Sequence, residues 1–271
     1  KHTVSNKLPE HLDLSDFYKK STSVNGFPIV SSGKVSDYAL KEAAYLVDHM
    51  IGDRQDIIDN LIKRNCRLVV MAHDEFTTQV PEHSKLTPAK FWDRRARGLG
   101  SSRTDPVASC AEENLLCYPG DPYNTENIMI HEFAHAIHLN GIFDVDTTFD
   151  KRLGKTYKAA MAKGLWKSKY AANNKAEYWA EGVQSWFNSN RPPDHDHNHI
   201  DTREELKKYD AGLAKLVKEI FGDTEWRYKR PSQRNSPGHL QGFDPLKTPV
   251  FKWPKELNDF YIKHIQEQNK K

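Results

Sequence analysis

Apolar residues recur at helical spacing through Tyr38, Ala39, Ala43, Leu46, Val47 and Met50, and Ser36 stands ahead of them with the hydroxyl of an N-cap. Gly52 stops that pattern. Ile57, Ile58, Leu61 and Ile62 repeat it over about 53–63, and 67–72 follows as a short apolar run that reads as a fully buried strand. Thr87-Pro88 opens another helix to about 97, because proline is tolerated in a first turn where its missing N–H costs nothing. Gly98 and Gly100 end it. Residues 108–118 predict one or two strands before the turn Pro119-Gly120-Asp121-Pro122. From 124 onward Ile128, Ile130, Phe133, Ala134 and Ile137 share a helical face as far as the stop signal Asn140-Gly141. Further helices are predicted at about 146–163, at 175–188 behind Asn173 or Asn174 as cap, at 202–221 and at 254–268, with 164–170 as strand or loop.

These elements predict an α+β fold, mainly helical, with a small sheet beside the 124–141 helix and a helical lower lobe. The Pro-, Gly- and Ser-rich segment 1–34 reads as an extended arm, 35–225 as one unit, and 226–271 as a basic loop and terminal helix packed on that unit. At 271 residues, with 12 Phe, 11 Tyr and 6 Trp, the chain can bury a substantial core. No apolar run approaches the ~18 residues of a membrane span. Forty Lys and Arg against 37 Asp and Glu leave a formal +3, too little for the whole chain to act as a polyanion binder. Residues 1–30 carry no apolar leader, which suits a secreted chain numbered from its mature start, with a cytoplasmic one as the alternative. Of three cysteines, Cys110 and Cys117 are close enough for a local bridge, at even odds with free thiols.

The chemistry concentrates at His131-Glu132-Phe133-Ala134-His135, an H-E-x-x-H match inside a well-delimited helix. Two imidazoles at i and i+4 project from one face and can reach a single tetrahedral Zn2+ at ~2.0–2.1 Å. Glu132, next along the helix, faces the open side of the metal and can take a proton from a water that the metal polarises. A third ligand is needed. The continuation H-x-x-G-x-x-H fails, since the glycine position holds His138 and the last histidine position holds Gly141. A downstream helix instead offers Glu177 and Glu181 at i and i+4; one can bind metal while the other accepts the spare N–H of a ligand histidine. His138 shares the face of His131 and His135 and reads as a pocket wall or a donor behind the ligands.

The spacing Tyr170-x6-Glu177-x3-Glu181, with Glu177 46 residues after His131, resembles that of the zinc endopeptidase family typified by the anthrax lethal factor catalytic domain. The resemblance covers about 125–190. It implies a zincin-like fold and a zinc endopeptidase in which His131, His135 and Glu177 hold the metal and Glu132 is the general base. It also implies that Tyr170 stabilises the oxyanion and that Glu181 stands behind the ligands. A carrier-binding module has no counterpart in this chain, so no role in intoxication is carried over. A protein or peptide substrate would lie extended in a cleft, pairing with an edge strand near 115–118.

The rival readings are a zinc amidase or aminopeptidase on small amides, which needs an anchor for a free terminus, and a non-catalytic module of zincin shape. The donor-rich tract 194–199 reads as a solvated loop more readily than as a second metal site. The basic runs 94–97 and 227–230 read as solvated faces, with no nucleic-acid motif around them.

Overall fold

The computed structural model describes residues 2–270. Lys20–Val24 (β1) and Phe27–Ser31 (β2) make an antiparallel hairpin around Asn25-Gly26, both at positive φ, as a two-residue hairpin turn requires. β2 pairs in parallel with Arg67–Met71 (β3), and β3 with Val107–Ala111 (β4), so the sheet runs β1-β2-β3-β4. Half of this sheet comes from the segment expected to be an arm. Ser and Thr at 21–23 and Pro28 mask the strand pattern there, although β2 is buried throughout.

Asp37–Ile51 (α1), with Ser36 Oγ accepting from Tyr38 N, and Gln55–Lys63 (α2) make the crossover between β2 and β3. Leu68, Val70, Ala108 and Cys110 face this helical side, while Val69, Met71, Val107 and Ala111 pack against Tyr18, Val80 and partly buried Leu8, Leu14 and Phe17. A sheet covered on both faces explains why β3 is a continuous apolar run rather than an alternating one.

Ala89–Arg95 (α3) precedes β4. Glu112–Leu115 (α4) follows it directly, so no strand continues through 115–118. The chain turns helical there because its two acids have buried partners: Glu112 accepts from the backbone N–H groups of Ser36 and His73, and Glu113 pairs with buried Arg97. The three thiols are free. Cys110 sits in β4 on the helical side, whereas Cys117, beyond α4, lies near the Asn114 carbonyl; of the two alternatives left open, a 110–117 bridge and free thiols, the structure has the free thiols.

Ile128–Ala136 (α5) carries H-E-x-x-H and passes into a wider π-type turn at Ile137–Ile142. Phe149–Ala162 (α6), Lys175–Trp186 (α7), Arg203–Tyr209 (α8) and Ala211–Phe221 (α9) build the lower lobe around Trp179, which packs on Phe149 and Phe221. The single helix expected at 202–221 is two, because Asp210 caps α9 through Leu213 N and also accepts from Trp166 Nε1 and Tyr178 OH. Lys255–Gln268 (α10) closes the chain. The preceding basic loop is not simply a solvated face: Tyr228 and Leu240 are buried, and Arg234 and His239 both bond buried Glu42 of α1. Among the described residues no helix is long and apolar enough to cross a membrane.

Candidate metal centre

α5 starts at Asn127 rather than 124. Asn127 Oδ1 accepts from Ile130 N and Asn114 Oδ1 from Ile128 N, which satisfies amides that a helix start leaves free. Met129, Ile130, Phe133 and Ala134 turn into the core, leaving His131 and Glu132 to line a cleft of about 400 Å3. Trp179 Nε1 donates to the Ala134 carbonyl at 2.9 Å and so fixes α7 against α5.

That docking brings Glu177 onto the histidines. Its Oε2 lies 3.0 Å from His131 Nε2 and 3.5 Å from His135 Nε2. Donors bound tetrahedrally at ~2.05 Å stand ~3.3 Å apart, so the two distances from Glu177 Oε2 bracket the separation that ligands of one zinc would have. Donor atoms of His131, Glu132 and His135 also fall within 4.8 Å of one another. His131 Nδ1 faces Gln184 Oε1 at 2.7 Å, an acceptor, so the ring carries its proton there and keeps the Nε2 lone pair for a metal.

The charge balance also suits a cation. Burial works against an imidazolium at His131, yet the Glu177 bond and the Glu132 and Glu181 carboxylates outweigh it and push the group up to about 10. Burial likewise opposes ionisation of Glu177, but the two histidines hold it well below the usual carboxylate range. A donor set that pulls this strongly on a proton offers a divalent ion the same negative potential. Two imidazoles and one carboxylate fit zinc by softness and number.

Glu181 does not take the position expected of it. Its Oε1 is 3.6 Å from His131 Nδ1, beyond hydrogen-bond length, and Oε2 instead accepts from Asn190 at 3.0 Å and faces His197 Nε2 at 3.5 Å. Gln184, one turn further along α7, supplies the acceptor. His138 is likewise displaced. One turn beyond His135, that face is covered by Phe149 and Trp179, and His138 Nε2 bonds Asp150 Oδ1 at 3.1 Å, away from the cleft and the ligands.

Tyr170 opens a short 3-10 turn, with its amide donating to the Asp196 carbonyl at 2.8 Å. Its ring lies 6.2 Å from that of His131 and lines the cleft, and among the described residues no backbone group accepts its hydroxyl. Burial, then the Glu177 and Glu132 carboxylates, push the phenol up to about 12 against the pull of Arg95, so it stays a donor at neutral pH. The tract 194–199 is not a free loop: His197 is buried, bonds Asp194 Oδ1 at 3.0 Å, and stacks on Tyr170.

The edge of the cleft is the strip 98–100 rather than 115–118. Leu99 exchanges both backbone bonds with Ser109 of β4, leaving the N–H and C=O groups of Gly98 and Gly100 without backbone partners among the described residues. Both positions need glycine. A Cβ on Gly98 would lie 2.6 Å from Ile128 Cγ2 and 2.8 Å from the Ser109 carbonyl, and one on Gly100 would lie 2.6 Å from His135 Cδ2.

Gln184, His197 and the 98–100 strip were not singled out as site residues from sequence. Gln184 alone had a legible signal, since it continues the Glu177 and Glu181 face at i+7. No family model, curated protein or solved structure matches this chain.

Proposed function

We propose that the chain is a zinc-dependent endopeptidase of the zincin type, the class that its resemblance to the lethal-factor family implies. One observation carries the reading: Glu177 Oε2 lies within 3.0 and 3.5 Å of the Nε2 atoms of His131 and His135, from a helix that starts more than forty residues downstream.

Zinc held by His131, His135 and Glu177 would polarise the scissile carbonyl and acidify a water beside it. Glu132 takes the proton from the attacking water and returns it to the leaving amine. Burial raises its carboxyl above the usual range, against the two histidines. Tyr170 donates to the carbonyl oxygen as negative charge develops. The unpaired backbone of Gly98 and Gly100 aligns an extended peptide by strand addition, with the scissile bond over Glu132.

The test is cleavage of a mixed peptide library by the zinc-loaded protein. Internal cuts that stop with a chelator and are missing in Glu132→Gln support the reading. A metal-loaded protein that cuts nothing, or a Glu132→Gln variant that cuts at the wild-type rate, overturns it.

A further inference from the structure

Four guanidiniums line the cleft, and they are not equivalent. Arg97 is fully buried against Glu113, and Arg191 is held by Glu126 and Asp194. Arg94 and Arg95 have no carboxylate partner among the described residues. Arg94 is nonetheless fixed in place: its Nε donates to Asn258 Oδ1 of α10, and its plane lies 4.5 Å from the Trp253 ring and 5.2 Å from that of Tyr261. This uses one of its donors and leaves the terminal nitrogens free. The acids on the cleft are already committed, Glu126 to Arg191, Glu181 to Asn190 and His197, and Asp196 to His195, with Glu132 beside the histidines.

We propose that Arg94 and Arg95 form a subsite for a peptide carboxylate, so that the cleft selects substrates with an Asp or Glu side chain, or a free C-terminus, a few residues from the bond cut. The inference rests on the peptidase reading above. Arg94 and Arg95 end α3, and the chain then runs extended through Ala96 into the 98–100 strip. At ~3.3 Å per extended residue, a peptide on that strip passes the two guanidiniums about three residues from its contact with Gly98. The Arg94 guanidinium, whose terminal N–H groups are unused, matches a carboxylate in geometry as well as charge, and Arg95, which also bonds the Tyr170 hydroxyl, adds positive charge beside it. Compensation of the α3 dipole does not account for the arrangement, since it needs neither the Asn258 bond nor the aromatic clamp on Arg94.

Three peptides built on a sequence cut in the library test this: one with Glu near the cut and an amidated end, its Gln counterpart, and the Gln peptide with a free C-terminus. The Glu peptide or the free-terminus peptide should show a KM about 10- to 100-fold below that of the amidated Gln peptide, with kcat little changed, and whichever it is names the source of the carboxylate. Arg95→Gln, at an exposed position, and the Arg94→Gln/Arg95→Gln pair should bring that ratio close to one, with circular dichroism melts reporting their folding. Equal KM values for all three peptides, or a preference that survives in the Arg95→Gln protein, overturn the proposal. Binding of the same labelled peptides to Glu132→Gln, read by fluorescence anisotropy, separates the two readings. A carboxylate preference there without cleavage by the wild type keeps the subsite and removes the peptidase; cleavage without preference does the reverse.

Discussion

Gln184 Oε1 accepts from His131 Nδ1 at 2.7 Å, while the carboxylate of Glu181 stands back at 3.6 Å from the same nitrogen. An amide rather than a carboxylate therefore fixes the His131 tautomer, with the Glu181 charge standing further back. Losing such a partner typically weakens metal affinity ~10- to 100-fold. Gln184→Leu should show that loss in zinc titrations, whereas Glu181→Gln should hold zinc more nearly as the wild type does. Its effect should fall on the Asn190 and His197 contacts instead. The opposite ranking would return the orienting role to Glu181.

Glu177 and Glu132 should differ in kind. Glu177→Ala removes one of three ligands, so most of the zinc should be lost in metal analysis of the purified protein. Glu132→Gln keeps a hydrogen-bonding side chain but cannot accept the water proton. It should retain a full equivalent of zinc and lose more than ~10²-fold in turnover.

Tyr170 is half-buried, and its hydroxyl is tied to no backbone carbonyl among the described residues, so Tyr170→Phe leaves no buried acceptor stranded. Removing one oxyanion donor lowers kcat by ~10²- to 10³-fold. Single-turnover rates should fall by that amount, with zinc content and melting temperature nearly unchanged. A destabilised but fully active Phe variant would make Tyr170 a packing residue.

Gly100→Ala tests the strip. The added methyl would sit 2.6 Å from His135 Cδ2 and 2.8 Å from its Cβ, inside contact distance, and a ligand ring in a packed helix has little room to yield. Zinc affinity should drop along with activity, while Gly164→Ala, whose Cβ would meet nothing within 4 Å despite its positive φ, should bind zinc normally even if it loses stability. Equal zinc affinities in the two variants would free the strip from the ligand.

Helix periodicity made α1, α2, α5 and α7 legible to within a few residues, because their apolar positions recur at helical spacing and are buried; α10 was legible as well, although Leu257 is its one buried residue. That His131 and His135 would share a helix face was legible because i, i+4 spacing constrains geometry, whereas Glu177 was picked over Glu181 only through the family resemblance; the structure puts Glu177 Oε2 beside both rings. What sequence did not reveal depends on tertiary pairing. β1 is rich in Ser and Thr and β2 contains Pro28, so both read as coil until they pair with each other and β2 pairs with β3. The strand through 115–118 lost to α4 because distant Ser36, His73 and Arg97 bind its acids. The basic run at 94–97 splits into a buried ion pair at Arg97 and an aromatic-clamped Arg94, a difference made by Glu113, Trp253 and Tyr261 from elsewhere in the chain.

His138 yields a pH-dependence of stability that can be assigned to one side chain. The residue is 2% exposed, and among the described residues Nδ1 has no hydrogen-bond partner while Nε2 bonds Asp150. Burial lowers the group from 6.5 to about 4; Asp150 opposes the shift, and neighbouring His135 and Lys175 add to it. The unfolded chain therefore takes up a proton below pH 6.5 that the folded chain refuses until about pH 4. Stability falls as pH falls through that window and is unaffected by this group above it. The gap between 6.5 and about 4 corresponds to about 3 kcal/mol. His138→Phe keeps a ring between Phe149 and Trp179 and removes the titration. Urea midpoints measured in chelator at pH 7, 5.5 and 4.5 should decline less in the variant than in the wild type, and the difference between the two curves should open only below pH 6.5. Parallel curves would mean that His138 is protonated in the folded protein, with Asp150 and not burial setting its charge.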